Sequence, residues 1–561
     1  MLRPAHLLQL MIVGALALGC GVTESLPMPT AGAGGNGGAA GSGRAGNSGG
    51  GGTGAASVAG SGGASATSGV SGTSGAAGAA GGGGRGGDGF GGGAGNAGAA
   101  AGAGAGGRGG GGAGGRGGSA GSAGAGGRAG AAGSTGAAGA GGALATVEMV
   151  DITDVWSGHP VAFSLVTRGD QQFAAFFDAN RRMTVAQRTL GTTTWQLTRL
   201  DNTLGWDSHN YVTMAIDSAG FVHVSGNMHN VPLIYYRSTR ALDASSLARV
   251  TSMVGSNEQS VTYPEFFQGP SGNLVFIYRD GGSGNGNHIF NTYDTATRAW
   301  RRLLGTPLTD GQGQRNAYPV GPVLGPDGFY HLVWVWRDTP DAATNHDLSY
   351  ARSRDLVTWQ SAAGTPLTLP ITLATSDIVD PVPAGGGMIN NNTKVGFDSQ
   401  NRAVVVYHKY DSAGNTQLYN ARFEGGRWVR SQTSMWTTRW SFGGNGTLVF
   451  EIEVAGVKVQ PDGTLTQDWY HARNGGWGAF RIDETNLRAT ATIERPLPYP
   501  RALDTPQSAT AGMVVRWAAD TGTAPSANVH YLLRWETLES NRDMPRDPIP
   551  PATRLRLYGF Q

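Results

Sequence analysis

Along residues 145–561 the apolar positions fall in short runs with a two-residue period, and the three-to-four-residue spacing of an amphipathic helix is hard to find. Runs of Val, Ile, Tyr, Phe and Trp are bounded by Gly, Asp, Asn or Pro, which predicts many short strands and an all-β domain. One hairpin signature recurs at Ile216-Asp217-Ser218-Ala219-Gly220-Phe221, Gly269-Pro270-Ser271-Gly272-Asn273, Gly325-Pro326-Asp327-Gly328-Phe329, Phe397-Asp398-Ser399-Gln400-Asn401 and Gln460-Pro461-Asp462-Gly463-Thr464. Each holds a residue that tolerates a left-handed backbone: Gly220, Gly272, Gly328, Asn401 and Gly463. These lie 52, 56, 73 and 62 positions apart, near the length of four strands with their loops. The spacing predicts a β-propeller of roughly seven blades.

Composition divides the chain. More than half of its 95 Gly lie within residues 31–142, where Ala, Ser and Thr supply most of the rest and Phe90 is the one aromatic residue. Such a stretch buries too little apolar surface to offset chain entropy, and without a three-residue period or proline it is not collagen-like. We read residues 21–144 as a disordered Gly-rich linker and 145–561 as the folded domain. Residues 1–20 have the form of an export signal: Arg3, an apolar run from Leu7 to Leu18, then Gly19-Cys20. Cys20 is the single cysteine, and its setting resembles the lipobox of bacterial lipoproteins, with Ala17 where Leu is usual. The expected location is extracytoplasmic, either secreted or as an outer-membrane lipoprotein held through a lipid on Cys20. No disulfide or cysteine-ligated metal is possible in the folded part.

The net charge of +2 is carried by the linker arginines, and the folded part is close to neutral. No basic face for nucleic acid is expected. Candidate chemistry is local instead. If Ser218-Ala219-Gly220 form a three-residue hairpin loop, Asp217 faces Phe221, and continuing that register places His209 opposite His229. The alternation puts His209, Tyr211, Thr213, His223, Ser225, Asn227 and His229 on one face. Imidazoles titrate near neutral pH, so such a pair suits proton transfer, whereas His223, near the turn, reads as a packing residue. Tyr278, Arg279, Arg337, His408 and His471 follow their own turns at comparable distances and should gather at one mouth of the propeller. Gly281–Gly286 lacks the helix and Lys-Ser/Thr pair of a phosphate loop and reads as a close backbone turn.

Several segments together resemble the BNR-repeat propeller polysaccharide lyases, a group that includes ulvan lyases and rhamnose-glucuronate lyases. They are Ser208-His209-Asn210-Tyr211 with Met228-His229-Asn230, Tyr278-Arg279-Asp280 with the Gly-rich turn, Trp334-Val335-Trp336-Arg337-Asp338-Thr339 with Asn345-His346-Asp347, Asn390-Asn391-Asn392, Tyr407-His408-Lys409-Tyr410-Asp411 and Arg439-Trp440-Ser441-Phe442. Ser353-Arg354-Asp355 before Trp359 similarly resembles a degenerate Asp-box, a feature of outer-strand turns. The resemblance implies a seven-bladed propeller that cleaves uronate-containing glycans by β-elimination. His209 and His229 would be the histidine pair, one of them the base, Tyr278 the acid or shared acid-base, and His346 a supporting group. Where an Arg would follow the Gly-rich turn, this chain reads Asn291-Thr292-Tyr293, which leaves carboxylate neutralisation to Arg279 or Arg337. Asn210, Asn227, Trp206, Trp336, Asn345, His408 and Trp440 are the expected substrate contacts. The partner would be an acidic polysaccharide met by a monomer, with no nucleic acid; no cofactor or metal is expected, and a structural divalent cation is left open. Two other functions fit the same pattern: a propeller glycoside hydrolase, with Asp207, Asp280, Asp338 and Asp347 as available carboxylates, and a non-catalytic glycan-binding or adhesion propeller.

Overall fold

The structure is a computed structural model that describes residues 145–526 and 528–561. The expected export signal, Cys20 and the Gly-rich linker lie outside the described residues. Within them the strands form seven antiparallel sheets, one of six strands, one of five and five of four. The helical content is four 3-10 turns of three or four residues, so the domain is all-β.

The five expected hairpins all form, and each joins the first long strand of a sheet to the second. Ile216 pairs with Val222, Gln268 with Leu274, Leu324 with Tyr330, Phe397 with Ala403 and Val459 with Leu465. Local chemistry explains them. Asp217 accepts the N–H groups of Ala219 and Phe221 on one carboxylate oxygen, and Asp398 does the same for Gln400 and Arg402. Gly220, with φ of 89°, and Asn401, with φ of 63°, supply the left-handed residue the turn needs.

One sheet joins distant parts of the chain, because Thr146–Val155 pairs along Thr553–Phe560. The cores lie between successive sheets. Val212, Met214 and Val224 pack with Phe173, Phe176 and Val185, while Val333 and Val335 pack with Val405 and Tyr407. Burial on both faces explains why the second strands, such as Tyr330–Arg337, are continuous apolar runs.

One strand departs from this order and shapes the site. The strand Val222–Gly226 ends at Gly226, where the chain runs so close to its neighbour that a Cβ would lie 2.3 Å from the Tyr211 carbonyl oxygen. Asn227 turns with φ of 58°, and the next strand, His229–Val231, adds to the edge of the following sheet against Val261–Gln268. The hairpin register holds from Ile216–Val222 to Val212–Gly226, but His209 and His229 both lie beyond it.

Candidate active site

Residues 206–210 form a loop pinned by its own aspartate. Asp207 Oδ1 accepts the His209 N–H at 2.8 Å, and the Asp207 carbonyl accepts the Asn210 N–H at 3.2 Å. Asp543 anchors the loop from afar by accepting the Ser208 N–H at 3.2 Å. The turn folds the Asp207 carboxylate inward, where His209 Nδ1 lies 2.5 Å from Oδ1 and His229 Nδ1 lies 2.5 Å from Oδ2. The two imidazoles stack with centroids 3.9 Å apart and planes 20° from parallel. They therefore meet through a shared carboxylate rather than as a cross-strand pair. His209 is buried and His229 half-buried. Burial, then the neighbouring His209, hold the His229 imidazole below its ordinary value. Burial alone would raise the Asp207 carboxyl, but the two histidines hold it well below the usual carboxylate range.

His229, Thr262 and Arg279 form one row across three adjacent strands, with Thr262 paired to both neighbours. Thr262 Oγ1 accepts Arg279 Nη2–H at 3.1 Å and the Asn230 N–H at 2.8 Å. Arg279 Nε donates to the Gly281 carbonyl, and its Nη1, although buried, has no hydrogen-bond partner. The Gly-rich turn makes this placement possible. A Cβ on Gly286 would lie 2.9 Å from the Arg279 stem, and one on Gly284 would lie 3.1 Å from the Thr339 backbone.

Immediately after Thr262 the ladder slips: the register jumps from Thr262 to Glu265, and Tyr263 takes a φ of 58°. A bulky residue in that region is strained, and such strain concentrates at functional sites. The bulge turns the Tyr263 ring toward His209, 5.8 Å between centroids, with the Arg279 guanidinium 5.0 Å over its face. Burial pushes the Tyr263 phenol up, against the opposing pull of Arg279. Tyr318 lies between Arg279 and Arg337 at 5.8 and 5.6 Å, its hydroxyl 2.8 Å from Ser283 Oγ. Burial would raise that phenol too, yet the two guanidinium groups bring it below its ordinary value. Beneath these side chains is a cavity of about 30 Å³ lined by Tyr211, Tyr263, Glu265, Arg279, Tyr318 and Asn391.

Other candidates from the sequence are placed differently. Tyr278 points away from Arg279, as alternation on one strand requires, and is fully buried beside Phe276, its hydroxyl accepting from Arg302 at 2.9 Å. It is a core residue rather than an acid facing the histidines. Arg337 is buried and donates to the carbonyls of Thr339 and Pro340 and to Asn390 Oδ1, which makes it a brace for the following loop rather than a carboxylate clamp. His346 is held by two carboxylates, Nδ1 at 2.8 Å from Asp347 and Nε2 at 3.0 Å from Asp338. Although burial opposes it, the two carboxylates raise the His346 imidazole above its ordinary value. Asn345 donates to the Ala342 carbonyl and is buried. Trp336 is buried with its indole N–H on Ser349, and Trp440 is buried against His408, whose imidazole burial pushes down to about 4. These four side chains are packing residues, not contacts on an open face. Asn227 donates to Asn202 Oδ1 and to the Thr203 carbonyl. Trp206, half-buried, stacks edge-on against Trp156, and Asn210 keeps a buried side-chain oxygen without a partner. Asn291, at the expected Arg position, is buried and accepts from Arg302.

With this geometry established, comparison with known proteins adds a family and a fold. Residues 171–436 match the family described as BNR repeat-containing family member. The matched segment, a little under half of the chain, is similar to that BNR-repeat family. Short stretches match two curated relatives: 35% identity over 65 residues with the short isoform of ulvan lyase of Alteromonas sp. (strain LOR), and 43% over 48 residues with the long isoform of ulvan lyase of Glaciecola sp. (strain KUL10). The matches take in 12% and 9% of this chain, and 12% and 5% of the relatives' own lengths. Among solved structures, a PL25 ulvan lyase bound to -[GlcA(1-4)Rha3S]- superposes with a TM-score of 0.50 at 12% identity, covering 73% of this chain and 95% of that one. The polysaccharide lyase Uly1 gives a TM-score of 0.50 at 12% identity, covering 74% and 99%. At this identity the likeness is one of fold, a propeller-like arrangement of sheets shared by the BNR-repeat segment and its surroundings.

Tyr263, Tyr318 and the bridging role of Asp207 are not evident from strand alternation. A signal for the two tyrosines does exist. Each precedes a proline, Tyr263-Pro264 and Tyr318-Pro319, in the first long strand of a sheet, and proline inside a paired strand marks a bulge or an edge. Asp207, His209 and His229 are also the one group of three metal-ligand side chains within 4.8 Å among the described residues. Both Nδ1 atoms turn onto the carboxylate, so the three satisfy one another by hydrogen bonding.

Proposed function

We propose that the chain is an exported polysaccharide lyase that cleaves a uronate-containing glycan by β-elimination on a seven-bladed propeller, each of the seven sheets being one blade. The observation that carries this reading is the row His229–Thr262–Arg279, with the rings of His209 and Tyr263 packed beside it. The family match and the likeness to ulvan lyase structures support it.

The chemistry divides among these side chains. The uronate carboxylate pairs with the uncommitted Nη1 of Arg279, which withdraws charge and acidifies the C5 proton. His229 is kept neutral by burial and offers Nε2, which makes no hydrogen bond among the described residues. It takes the C5 proton, and the electrons of the C5–H bond form the C4=C5 double bond. The C4–O4 bond breaks, its electron pair leaves with O4, and O4 takes the proton of Tyr263. Tyr263 suits this step because its raised phenol stays protonated. Proton exchange between the His229 imidazolium, solvent and the Tyr263 phenolate resets the site. Residues 1–20 as export signal, a lipid on Cys20 and residues 21–144 as tether would hold the enzyme outside the cytoplasm within reach of polymer.

The full chain is to be incubated with a panel of uronate-containing polysaccharides while ultraviolet absorbance is followed. Growth of the absorbance of a C4=C5 unsaturated uronate is the expected result. Reducing ends without that absorbance would replace this reading with hydrolysis, and retention on a glycan gel without any product would replace it with a binding propeller.

A further inference from the structure

We infer that Asp207 is a positioning residue that holds His209 and His229 together in the tautomer protonated at Nδ1, so that His229 presents an unprotonated Nε2 to the groove. The catalytic consequence rests on the lyase reading above, whereas the tautomer assignment stands on the geometry alone.

An ionised carboxylate has no proton to donate, so the hydrogen in each Asp207–imidazole contact belongs to the imidazole. The two contacts use different oxygens, Oδ1 for His209 and Oδ2 for His229, each at 2.5 Å. One side chain thus fixes the tautomer of both rings. A solvated histidine exchanges between tautomers, and a ring protonated at Nε2 could not accept a proton there. Asp207 is itself fixed, since its Oδ1 also caps the His209 N–H and Asp543 pins the next residue. When His229 becomes an imidazolium, the carboxylate already facing its Nδ1–H balances the new charge.

Two other histidine–aspartate contacts show what is particular here. His223 and His331 each bond a tyrosine hydroxyl through Nδ1 and an aspartate through Nε2, which leaves neither nitrogen for a ligand. In the Asp207 arrangement the aspartate instead takes Nδ1 of each ring.

The test reads tautomers directly, by proton–nitrogen correlation of the imidazoles in the nitrogen-15-labelled full chain near neutral pH, with His229→Asn and His209→Asn to assign the signals. Protonated Nδ1 and bare Nε2 on His229 are expected. Asp207→Asn presents an amide N–H to one ring, which then needs a bare Nδ1 and a protonated Nε2. That tautomer should appear in the variant, with kcat lower by about 100-fold or more and KM within threefold. Asp207→Glu, which restores a carboxylate, should recover at least tenfold over Asp207→Asn. A protonated Nε2 on His229 in the wild-type chain overturns the inference, as does an Asp207→Asn variant with unchanged tautomers and kcat within threefold. If Asp207→Asn does not fold, the wild-type spectrum decides alone. A wild-type chain with the expected tautomer that forms no unsaturated product overturns the lyase reading and leaves the positioning role of Asp207 intact.

Discussion

His223 and His229 are six residues apart in sequence, and each touches an aspartate, yet their settings are opposite. The His223 ring is fully buried, with both nitrogens spent on Tyr235 and Asp217 and with Tyr293 and Trp300 packed edge-on around it. Burial pushes its imidazole down and Asp217 pulls it up, with burial prevailing. His331 repeats the arrangement two sheets along the chain, with Tyr350 and Asp327 in the same roles. In both, the aspartate sits in the hairpin turn, the histidine on the second strand and the tyrosine on the third, so the trio ties a turn to its sheet. His229 has one nitrogen committed, lies half-buried, and stands beside a strained tyrosine and an arginine with a buried, unpaired donor. Buried histidines are therefore common in this protein, and what distinguishes the candidate site is that the His229 ring is only half-buried, is tied through Nδ1 to a carboxylate shared with His209, and lies in one row with Arg279.

Removing each ring separates the two regions most sharply. His229→Ala should lower turnover of the uronate glycan by about 10²- to 10⁴-fold, the range for loss of a general base, with retention on an immobilised glycan preserved. His223→Ala should leave kcat within a few-fold but destabilise the fold by about 2–3 kcal/mol, because Asp217 and the Tyr235 hydroxyl lose a buried partner. Paired measurements of turnover and thermal melting check both. A His223→Ala chain that melts normally but has lost turnover would erase the distinction.

The same division runs through the tyrosines. Tyr263→Phe removes the proposed acid and should cost about 10²-fold in turnover with little change in melting. Tyr278→Phe removes only the hydroxyl that accepts from Arg302 and should cost about 1 kcal/mol of stability while keeping turnover within threefold. Equal losses of turnover in the two variants would show that Tyr278 influences the site from within its sheet core.

What was legible in the sequence follows the range of the interaction that decides it. The hairpins were legible because Asp217, Gly220, Asp398 and Asn401 settle their turns within a few residues. The register of the strand pair Val212–Ile216 and Val222–Gly226 followed from the same turn. That register could not be carried on to His209 and His229, because Asn227 turns left-handed and the chain crosses to the next sheet. Arg337 looked like a clamp because a charge interrupts an apolar strand, but its partners are carbonyls two and three residues ahead and Asn390, 53 positions away. The sequence points to Tyr278 and assigns Tyr263 no role, because a two-residue alternation assumes an unbroken ladder and the bulge after Thr262 breaks it.

The smallest effect concerns Glu265, which shares the bulged strand with Tyr263 and opens onto the cavity beneath the site. Burial raises its carboxyl from an ordinary 4.5 to about 7. The charged and titratable groups that line the same cavity are Tyr211, Tyr263, Arg279, His288 and Tyr318, and burial has lowered the His288 imidazole to about 3, so little positive charge is added on that side as pH falls. Between about 4.5 and 7 the unfolded chain has released the Glu265 proton while the folded chain still holds it. Stability therefore falls as pH rises through that window and stops falling once the folded carboxyl ionises. Glu265→Gln removes the dependence without emptying the space. Its melting temperature relative to wild type should be nearly unchanged near pH 4.5, increase toward pH 7 and then level off, with a gain on the order of 1–3 kcal/mol at the plateau. A difference that stays flat across this range would mean that the folded carboxyl ionises normally. The cavity under Tyr263 would then be wet enough to solvate a charge, unlike the dry surroundings of His223.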